Sequence, residues 1–341
     1  MTKIYLLRHC EAYGNIYRRL DGIRDTDVTE KGQMQIDYVS ERFRSIPLDA
    51  VFSSHLIRAR KTAAGIAKAA NAPHHCREAL HERSMGIFDS KTWHEAAFVY
   101  PEIFREWTEN FNSFTIPEGE SLNNAGSRFR NEILTICRAY KDKTIAVVAH
   151  SMVMKTFLES ITQGPVPFGN NTAVSLLEVD PDMETVSVVF MNDDSHLPES
   201  MRQSRQRWTK RGSKLEDYSL RYIYRSKDGS GSPVMEESDD VITLEGHEND
   251  KKIGFLKFVI NDQNAEIKEL FVYPEFRRNG FATQLIGEAM YSASKKECRN
   301  LIYTYKDRDI IIDSLAKRNG FLMRDHFFIR DIAMENYFIQ K

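Results

Sequence analysis

The chain has 341 residues, a formal net charge of −2 at pH 7 and 28% charged residues. This length suits two domains, and the balanced charge argues against nucleic acid or an anionic membrane as a partner. The N-terminus has no apolar signal segment, no apolar run is long enough to span a bilayer, and the four cysteines are scattered without a CxxC pair. We therefore expect a cytoplasmic protein with no disulfide framework and no metal.

The first part of the chain alternates between strand and helix patterns. Strands are expected at Lys3–His9, Ala50–Ser53 and Thr144–Ala149, followed by a hairpin of Ala173–Val179 and Val186–Met191. Helices are expected at Glu30–Arg44, at Leu56–Ala70, after the capping residue Ser121 and from Met152. Repeated strand–helix units predict an α/β domain with a mostly parallel sheet over residues 1–198.

The composition changes after Leu197. Residues 201–214 are basic and residues 228–240 are rich in Gly, Ser and acidic side chains, so 199–240 is predicted to be a basic segment and linker. A smaller α/β domain is predicted over 241–341. Its strands are expected at Lys252–Ile260, Glu266–Tyr273, Asn300–Tyr305 and Phe327–Asp331, and its helices at Phe281–Ser294 and Ile310–Arg318.

Three predicted strands in the first domain are followed by histidine or arginine side chains. Arg8 and His9 end the first strand, His150 follows the strand Thr144–Ala149, and Arg58 begins the helix after Ala50–Ser53. In open α/β sheets, ligands bind in the crevice beyond the carboxyl ends of the strands. We therefore expect these side chains to meet at one edge of the sheet.

These residue types suit phosphoryl transfer. A neutral imidazole of His9 can attack phosphorus and form a covalent intermediate. The guanidinium groups of Arg8 and Arg58, with His150, can bind the three equatorial oxygens of the transition state and take the place of a magnesium ion. The leaving oxygen still needs a proton, and Glu82 is our candidate donor.

Several motifs resemble the histidine phosphatase superfamily, the phosphoglycerate mutase-like proteins. They are, in chain order, LLRHCEAYGN, SSHLIRARKTA, LHERSMG, PEGESLNNAGSRF and VVAHSMVMK. The resemblance covers about residues 3–198 and departs from the family at Cys10, where a glycine is usual. It implies a three-layer α/β fold and metal-independent hydrolysis of a small phosphorylated metabolite. It also implies a phosphohistidine at His9, a phosphate pocket of Arg8, Arg58 and His150, Glu82 as proton donor and Asn15 as a further phosphate contact.

The substrate is less well defined by the sequence. Arg18, Arg19 and Arg24 could bind a second anionic group, or they could form a solvated basic loop. An aromatic-rich insert follows Glu82, and core packing would account for most of its rings. Transfer of the phosphoryl group to water is favoured over transfer to a second substrate hydroxyl, which would make the protein a phosphomutase.

A basic turn at residues 277–282 joins a strand to a helix near the C-terminus. Its backbone N–H groups lie at a helix N-terminus, which favours an anion, and Arg277 and Arg278 add charge suited to a pyrophosphate. The segment ELFVYPEFRRNGFATQLIGEAM resembles the GNAT-type N-acetyltransferases, and Arg277, Gly280 and Ala282 match the loop that holds the pyrophosphate of acetyl-CoA. The resemblance implies a GNAT-like fold whose CoA-binding residues are Phe271, Val272, Arg277, Arg278, Asn279, Gly280, Phe281, Ala282 and Thr283.

Catalysis by this second domain is a separate question. Glu266 lies on the strand before the turn, where some members of the GNAT family carry a general base. The tyrosine often found near the final Gly-Phe is replaced by Ala316, with Tyr303 and Tyr305 as candidate substitutes, and the first two helices of the family have no clear counterpart before Lys252.

The sequence as a whole predicts a bifunctional enzyme that removes a phosphate in its first domain and uses acetyl-CoA to acetylate an amine in its second. The alternative is a phosphatase whose C-terminal domain only binds CoA or regulates it. Whether the chain forms a homodimer stays open.

Overall fold

The structure is a computed structural model that describes residues 1–202, 220–225, 231–232, 241–248, 251–305 and 310–332. It divides into two compact units. The first comprises Met1–Ala12, Asp21–Asp89 and Ile103–Lys210, and the second comprises Tyr13–Leu20, Ser90–Glu102 and Arg211–Lys341. Two short segments that lie within the predicted first domain, residues 13–20 and 90–102, group with the second unit. The predicted linker lies mostly outside the described residues.

The predicted helices and strands occur in the structure, together with short elements that were not predicted, among them Tyr13–Tyr17, His74–Cys76 and Leu322–Arg324. The helices are α1 (Tyr13–Tyr17), α2 (Glu30–Phe43), α3 (Ile57–Ala70), α4 (Trp93–Val99), α5 (Pro101–Glu109), α6 (Leu122–Ala139), α7 (Ser151–Thr162), α8 (Phe281–Lys295) and α9 (Ile310–Arg318). The strands are β1 (Thr2–Arg8), β2 (Ala50–Ser53), β3 (His74–Cys76), β4 (Thr144–Ala149), β5 (Val174–Asp180), β6 (Thr185–Asp193), β7 (Arg221–Arg225), β8 (Gly231–Ser232), β9 (Ile242–Glu248), β10 (Lys251–Asn261), β11 (Asn264–Val272), β12 (Asn300–Thr304), β13 (Leu322–Arg324) and β14 (Phe327–Asp331). None of the helices in the described residues is both long and apolar enough to cross a membrane.

The first unit is built on a six-stranded sheet in the order β3-β2-β4-β1-β5-β6. The first four strands are parallel and the β5–β6 hairpin is antiparallel, as predicted. Strand β1 is central in the sheet and carries apolar side chains on both faces, because helices cover the sheet on both sides. Ile4 and Leu6 pack with α6 and α7, whereas Leu7 packs with α2 and α3. The mixed α/β layer fold is therefore confirmed.

Capping residues fix where two of these helices begin. The side chain of Ser121 accepts a hydrogen bond from Asn124 N at 3.1 Å, which confirms the predicted start of α6. Thr29 caps α2 in the same way through Gly32 N at 2.9 Å. Both helices therefore begin at a residue that satisfies one of their free backbone donors.

The second unit is built on an eight-stranded sheet in the order β13-β14-β12-β11-β10-β9-β7-β8. Helices α8 and α9 pack on one face through Leu285, Ala289 and Ala316. Strand β11 pairs with β12 in parallel only over residues 264–267, although β11 continues to Val272 along β10. A register shift in the β10–β11 pairing lies at Lys257/Phe258, where that shared pairing ends. Among the described residues, the pairing of β11 with β12 therefore ends at Ile267.

Candidate active sites

His9 and His150 follow neighbouring strands of the first sheet. Arg8 pairs with Ala149 in the parallel β1–β4 ladder, so the next residue of each strand comes to the same edge. The two imidazole rings lie 5.1 Å apart, centroid to centroid, and both residues are buried. The structure thus brings together the two histidines that the sequence placed at strand ends.

The surroundings of His9 leave one ring nitrogen available for attack. Nδ1 lies 2.6 Å from the carbonyl oxygen of Cys10. A carbonyl only accepts, so Nδ1 carries the proton and Nε2 holds the lone pair. Burial, and then the charges of Arg58 and Arg8, lower the pKa of His9 well below its usual value. The imidazole is therefore neutral near pH 7, as a nucleophile must be.

Arg8 and Arg58 are both anchored by backbone carbonyl oxygens. Arg8 Nη1 donates to Gly169 O at 2.8 Å. Arg58 Nη1 donates to Arg24 O at 2.9 Å, and its Nη2 donates to Gly22 O at 3.0 Å. Arg58 is only 3% exposed, so its charge acts in a poorly solvated place. Arg24, predicted to bind substrate, contributes its carbonyl oxygen to this anchor.

His150 is fully buried, and within the described residues neither of its ring nitrogens has a hydrogen-bond partner. Burial, followed by Arg58 and His9, lowers its pKa well below the usual value. A buried polar group without a partner is costly and is usually explained by function. A bound anion would satisfy it.

Glu82 lies at the N-terminus of α7, beside the same edge. Its carboxylate accepts hydrogen bonds from Met152 N at 2.9 Å, Val153 N at 3.1 Å and Arg83 N at 2.9 Å. These three donors hold the Glu82 carboxyl group at the start of α7.

Three further residues support the site and were not predicted. Asn171 donates from Nδ2 to His9 O at 2.9 Å and is fully buried. Arg83 donates to the carbonyl oxygens of Glu120, Phe111 and Phe114, and Arg128 donates to those of Ala79 and His81. The two arginines thereby hold the segment that carries Glu82. Of these three residues, only Arg83 could have been suspected from the sequence, because it directly follows Glu82.

Rings of the aromatic insert pack in the core, which is the alternative to contact with the substrate. Trp107 is 1% exposed and its ring lies 5.3 Å from Phe88 and 5.4 Å from Phe104. Phe111 stacks on it at 5.3 Å. These rings therefore serve packing before any contact with substrate.

Arg19, predicted to bind substrate, is a buried residue of the second unit. Its side chain is 2% exposed and bonded to Glu288 and, at 2.6 Å, to Ser90 O. Both terminal nitrogens of the Arg19 guanidinium group are engaged in these bonds, and its Nε is buried. Asn15 and Arg18 belong to the second unit, as Arg19 does, and their predicted roles stay predictions.

The predicted pyrophosphate turn has the geometry of an anion site. Gly280 begins α8 with φ +83° and has open space where a Cβ atom would stand. Arg277, Arg278 and Asn279 are exposed, and Arg277 Nε donates to Val272 O at 2.9 Å. Phe281 and Thr283 are buried, so they could offer an anion only their backbone N–H groups. Gly280 thus lies where α8 begins, and binding of a pyrophosphate at this turn stays a prediction.

Other predicted residues of the second site have different surroundings. Val272 packs in the core, Phe271 stacks on Phe255 at 5.6 Å, and Ala282 is half-buried. Glu266 pairs with Lys268 at 2.6 Å and accepts a hydrogen bond from Thr304 at 3.1 Å. These contacts, the Lys268 bond foremost, lower the pKa of Glu266. A lower pKa weakens a carboxylate as a general base, and the predicted role of Glu266 stays a prediction.

Comparison with known families identifies the family of the first predicted domain. Residues 4–194 match the histidine phosphatase superfamily (branch 1). The chain belongs to the histidine phosphatase superfamily. Residues 200–321 match the acetyltransferase (GNAT) family, in agreement with the second sheet. The fusion of the two domain types predicted from the sequence is confirmed. No group of three His, Cys, Asp or Glu side chains that could hold a metal ion occurs in the ranges that the structure describes.

Similar proteins cover the first unit. Phosphoserine phosphatase 1 of Hydrogenobacter thermophilus is 30% identical over 155 residues, which are 46% of this chain and 74% of that protein. The metal-independent phosphoserine phosphatase of Arabidopsis thaliana is 30% identical over 204 residues, 59% of this chain and 81% of the relative. The structure of Bacillus stearothermophilus YhfR is 27% identical and superposes with a TM-score of 0.53, over 57% of this chain and 99% of that one.

Proposed function

We propose that the first unit of this histidine phosphatase hydrolyses phosphomonoesters of small metabolites without a metal ion, through a phosphohistidine at His9. The observation that carries the proposal is the Nδ1 bond from His9 to Cys10 O, which leaves Nε2 unprotonated beside the unpartnered ring of His150. Arg8 and Arg58 supply the positive charge that the transferring phosphoryl group needs.

The reaction then runs in two steps. In the first, His9 Nε2 attacks phosphorus, the P–N bond forms, and the P–O bond to the leaving group breaks while Glu82 gives that oxygen a proton. In the second, Glu82 takes a proton from water, the water oxygen attacks phosphorus, and the P–N bond breaks. Inorganic phosphate leaves and His9 is restored.

The two phosphoserine phosphatases among the relatives make a phosphorylated amino acid the first substrate to test. Release of inorganic phosphate from phosphoserine and a panel of small phosphate esters should be measured with and without a chelator. We expect His9→Ala to abolish hydrolysis and a chelator to have no effect. His75 is an exposed histidine on β3, and His75→Ala is the control that should leave hydrolysis unchanged. Hydrolysis that survives in His9→Ala would refute the proposal, and label passed to a second substrate hydroxyl would indicate a phosphomutase.

We propose acetyl-CoA-dependent acetylation of an amine as the function of the second unit. The match to the GNAT family and the exposed turn at Gly280 favour it. Titration calorimetry with acetyl-CoA tests binding, and Arg277→Ala should weaken it. Binding without acetylation of any amine would leave the alternative, a C-terminal domain that only binds CoA or regulates the phosphatase.

A further inference from the structure

Two further histidines of the first unit, His55 and His81, face each other at the sheet edge where His150 lies. Ser53, the last residue of β2, pairs with Val148 in the parallel β2–β4 ladder. His55 therefore follows β2 at the same edge at which His150 follows β4. The rings of His55 and His81 meet edge to face, with their centroids 6.3 Å apart. His55 is exposed and His81 is half-buried, so the pair lies where this edge opens to solvent.

His81 directly precedes Glu82, the proposed proton donor. The Glu82 carboxyl group is bonded to the start of α7, the helix that follows His150. Burial lowers the pKa of His150 most, and His81 and His55 lie close enough to lower it further. An alcohol that takes its proton from Glu82 therefore leaves next to His81.

The surroundings of His81 make its ring a hydrogen-bond acceptor. Its Nδ1 atom lies 2.6 Å from Glu82 O, and a carbonyl oxygen only accepts, so Nδ1 carries the proton and Nε2 the lone pair. Burial lowers the pKa of His81 below its usual value, so the ring is neutral at pH 7. Arg128 and Glu120, which lie near the ring, form an ion pair at 2.6 Å, and their charges largely offset each other. Nε2 can therefore accept a hydrogen bond from a donor on the substrate, whereas a carboxylate would be repelled by its lone pair.

We propose that His81 determines the specificity of the first site: its Nε2 atom accepts a hydrogen bond from an amine on the alcohol portion of the substrate. The preferred substrates are then phosphate esters of amino alcohols, a class that includes phosphorylated hydroxy amino acids. The proposal rests on the proposed phosphatase function and names the substrate class of the same site. An ammonium group suits a neutral imidazole best, because hydrogen bonds with one charged partner are shorter and stronger than neutral ones.

The test uses the full chain and two esters of equal size, phosphoethanolamine and propyl phosphate, which differ in an ammonium group that replaces a methyl group. The readout is the ratio of their kcat/KM values, so that any difference in their intrinsic reactivity cancels between variants. His81→Asn keeps an N–H donor for Glu82 O but lacks Nε2, and His81→Phe lacks both nitrogens. Both substitutions should lower the ratio by about 10- to 100-fold, the usual effect of one hydrogen bond to a charged group. His75→Phe, at an exposed histidine of β3, is the matched control and should leave the ratio unchanged.

A ratio that stays the same in His81→Asn and His81→Phe, or that falls equally in His75→Phe, would overturn the inference and leave the phosphatase function intact. Binding gives a second readout that needs no turnover. In His9→Ala, the ¹⁵N signal of His81 Nε2, assigned by its absence from the double variant with His81→Asn, should shift with phosphoethanolamine and not with propyl phosphate. No shift, or an equal shift with both esters, would also refute the inference. A wild-type chain that hydrolyses no phosphate ester would end the proposed function instead, and the ¹⁵N signal would still decide whether His81 binds an amine.

Discussion

Glu82→Gln separates proton donation from helix anchoring at the first site. Both carboxylate oxygens accept backbone hydrogen bonds, Oε1 from Arg83 N and Val153 N, and Oε2 from Met152 N. A glutamine can present only one oxygen, so its amide N–H₂ must face at least one backbone N–H. We expect the free energy of unfolding of the first unit to fall by about 1–3 kcal/mol, the usual effect of leaving a buried donor unsatisfied.

The catalytic effect of this substitution should depend on the leaving group. Loss of a general acid lowers rates by about 10²–10⁴-fold, and the loss should be full for an alkyl phosphate such as phosphoserine. It should be much smaller for p-nitrophenyl phosphate, whose leaving group departs readily as an anion. The assay is kcat for both esters in wild type, Glu82→Gln and Glu120→Gln. Glu120 is the matched control, because it is a half-buried glutamate that bonds to Ser84 N at 3.0 Å and not to α7.

An equal loss of kcat for both esters would refute the role of Glu82 as proton donor. It would show that the carboxylate serves only to fix the start of α7 next to His150. A comparable loss in Glu120→Gln would point instead to a general disturbance of the segment that Arg83 and Arg128 hold.

Three further predictions concern single positions. Gly22→Ala should lower kcat at least about tenfold, because its Cβ atom would stand 2.3 Å from Arg83 O and displace the Gly22 carbonyl that holds Arg58. Phosphate release measures this change, and an unchanged kcat would contradict the prediction. Burial raises the pKa of Asp89 from 3.8 to about 7, so its stabilising contribution is present below pH 3.8 and is lost as the pH rises through 7. Asp89→Asn cannot ionise and should therefore be more stable than wild type at pH 8, by about 1–4 kcal/mol in denaturant titrations, with the difference vanishing near pH 4; a difference independent of pH would count against this. Gly280→Ala strains the left-handed residue that starts α8 and should weaken acetyl-CoA binding in calorimetry by about fivefold or more, while Gly164→Ala, in open space in the first unit, should not.

The sequence could predict that His9 and His150 lie close together because the signals for this are local. His9 and His150 directly follow apolar strands, and the β1–β4 pairing of Arg8 with Ala149 turns that order into proximity. Arg58 lies in the first turn of α3, the helix after β2. The same logic found the turn at Gly280, since a strand, a glycine and a helix are adjacent in the chain. Hydrophobic periodicity alone was enough to place these elements.

The grouping of residues 13–20 and 90–102 with the second unit could not be predicted in this way. Arg19 is separated from its partner Glu288 by 269 positions, and a basic loop is as plausible in solvent as in a buried ion pair. Residues 13–20 and 90–102 carry no linker composition that would mark them as leaving the first unit. The lowered pKa of Glu266 was equally hidden, because it depends on Lys268 and Thr304 lying against its carboxylate.

The covalent intermediate is the most direct test of the proposed chemistry. The full chain should be quenched in base during turnover of ³²P-labelled phosphoserine, and its peptides examined by mass spectrometry for a base-stable, acid-labile phosphoryl group. The predicted result is label on the peptide that contains His9, present in wild type and absent in His9→Ala. Turnover without any labelled histidine, or label on another residue that persists in His9→Ala, would contradict the assignment of His9 as the nucleophile.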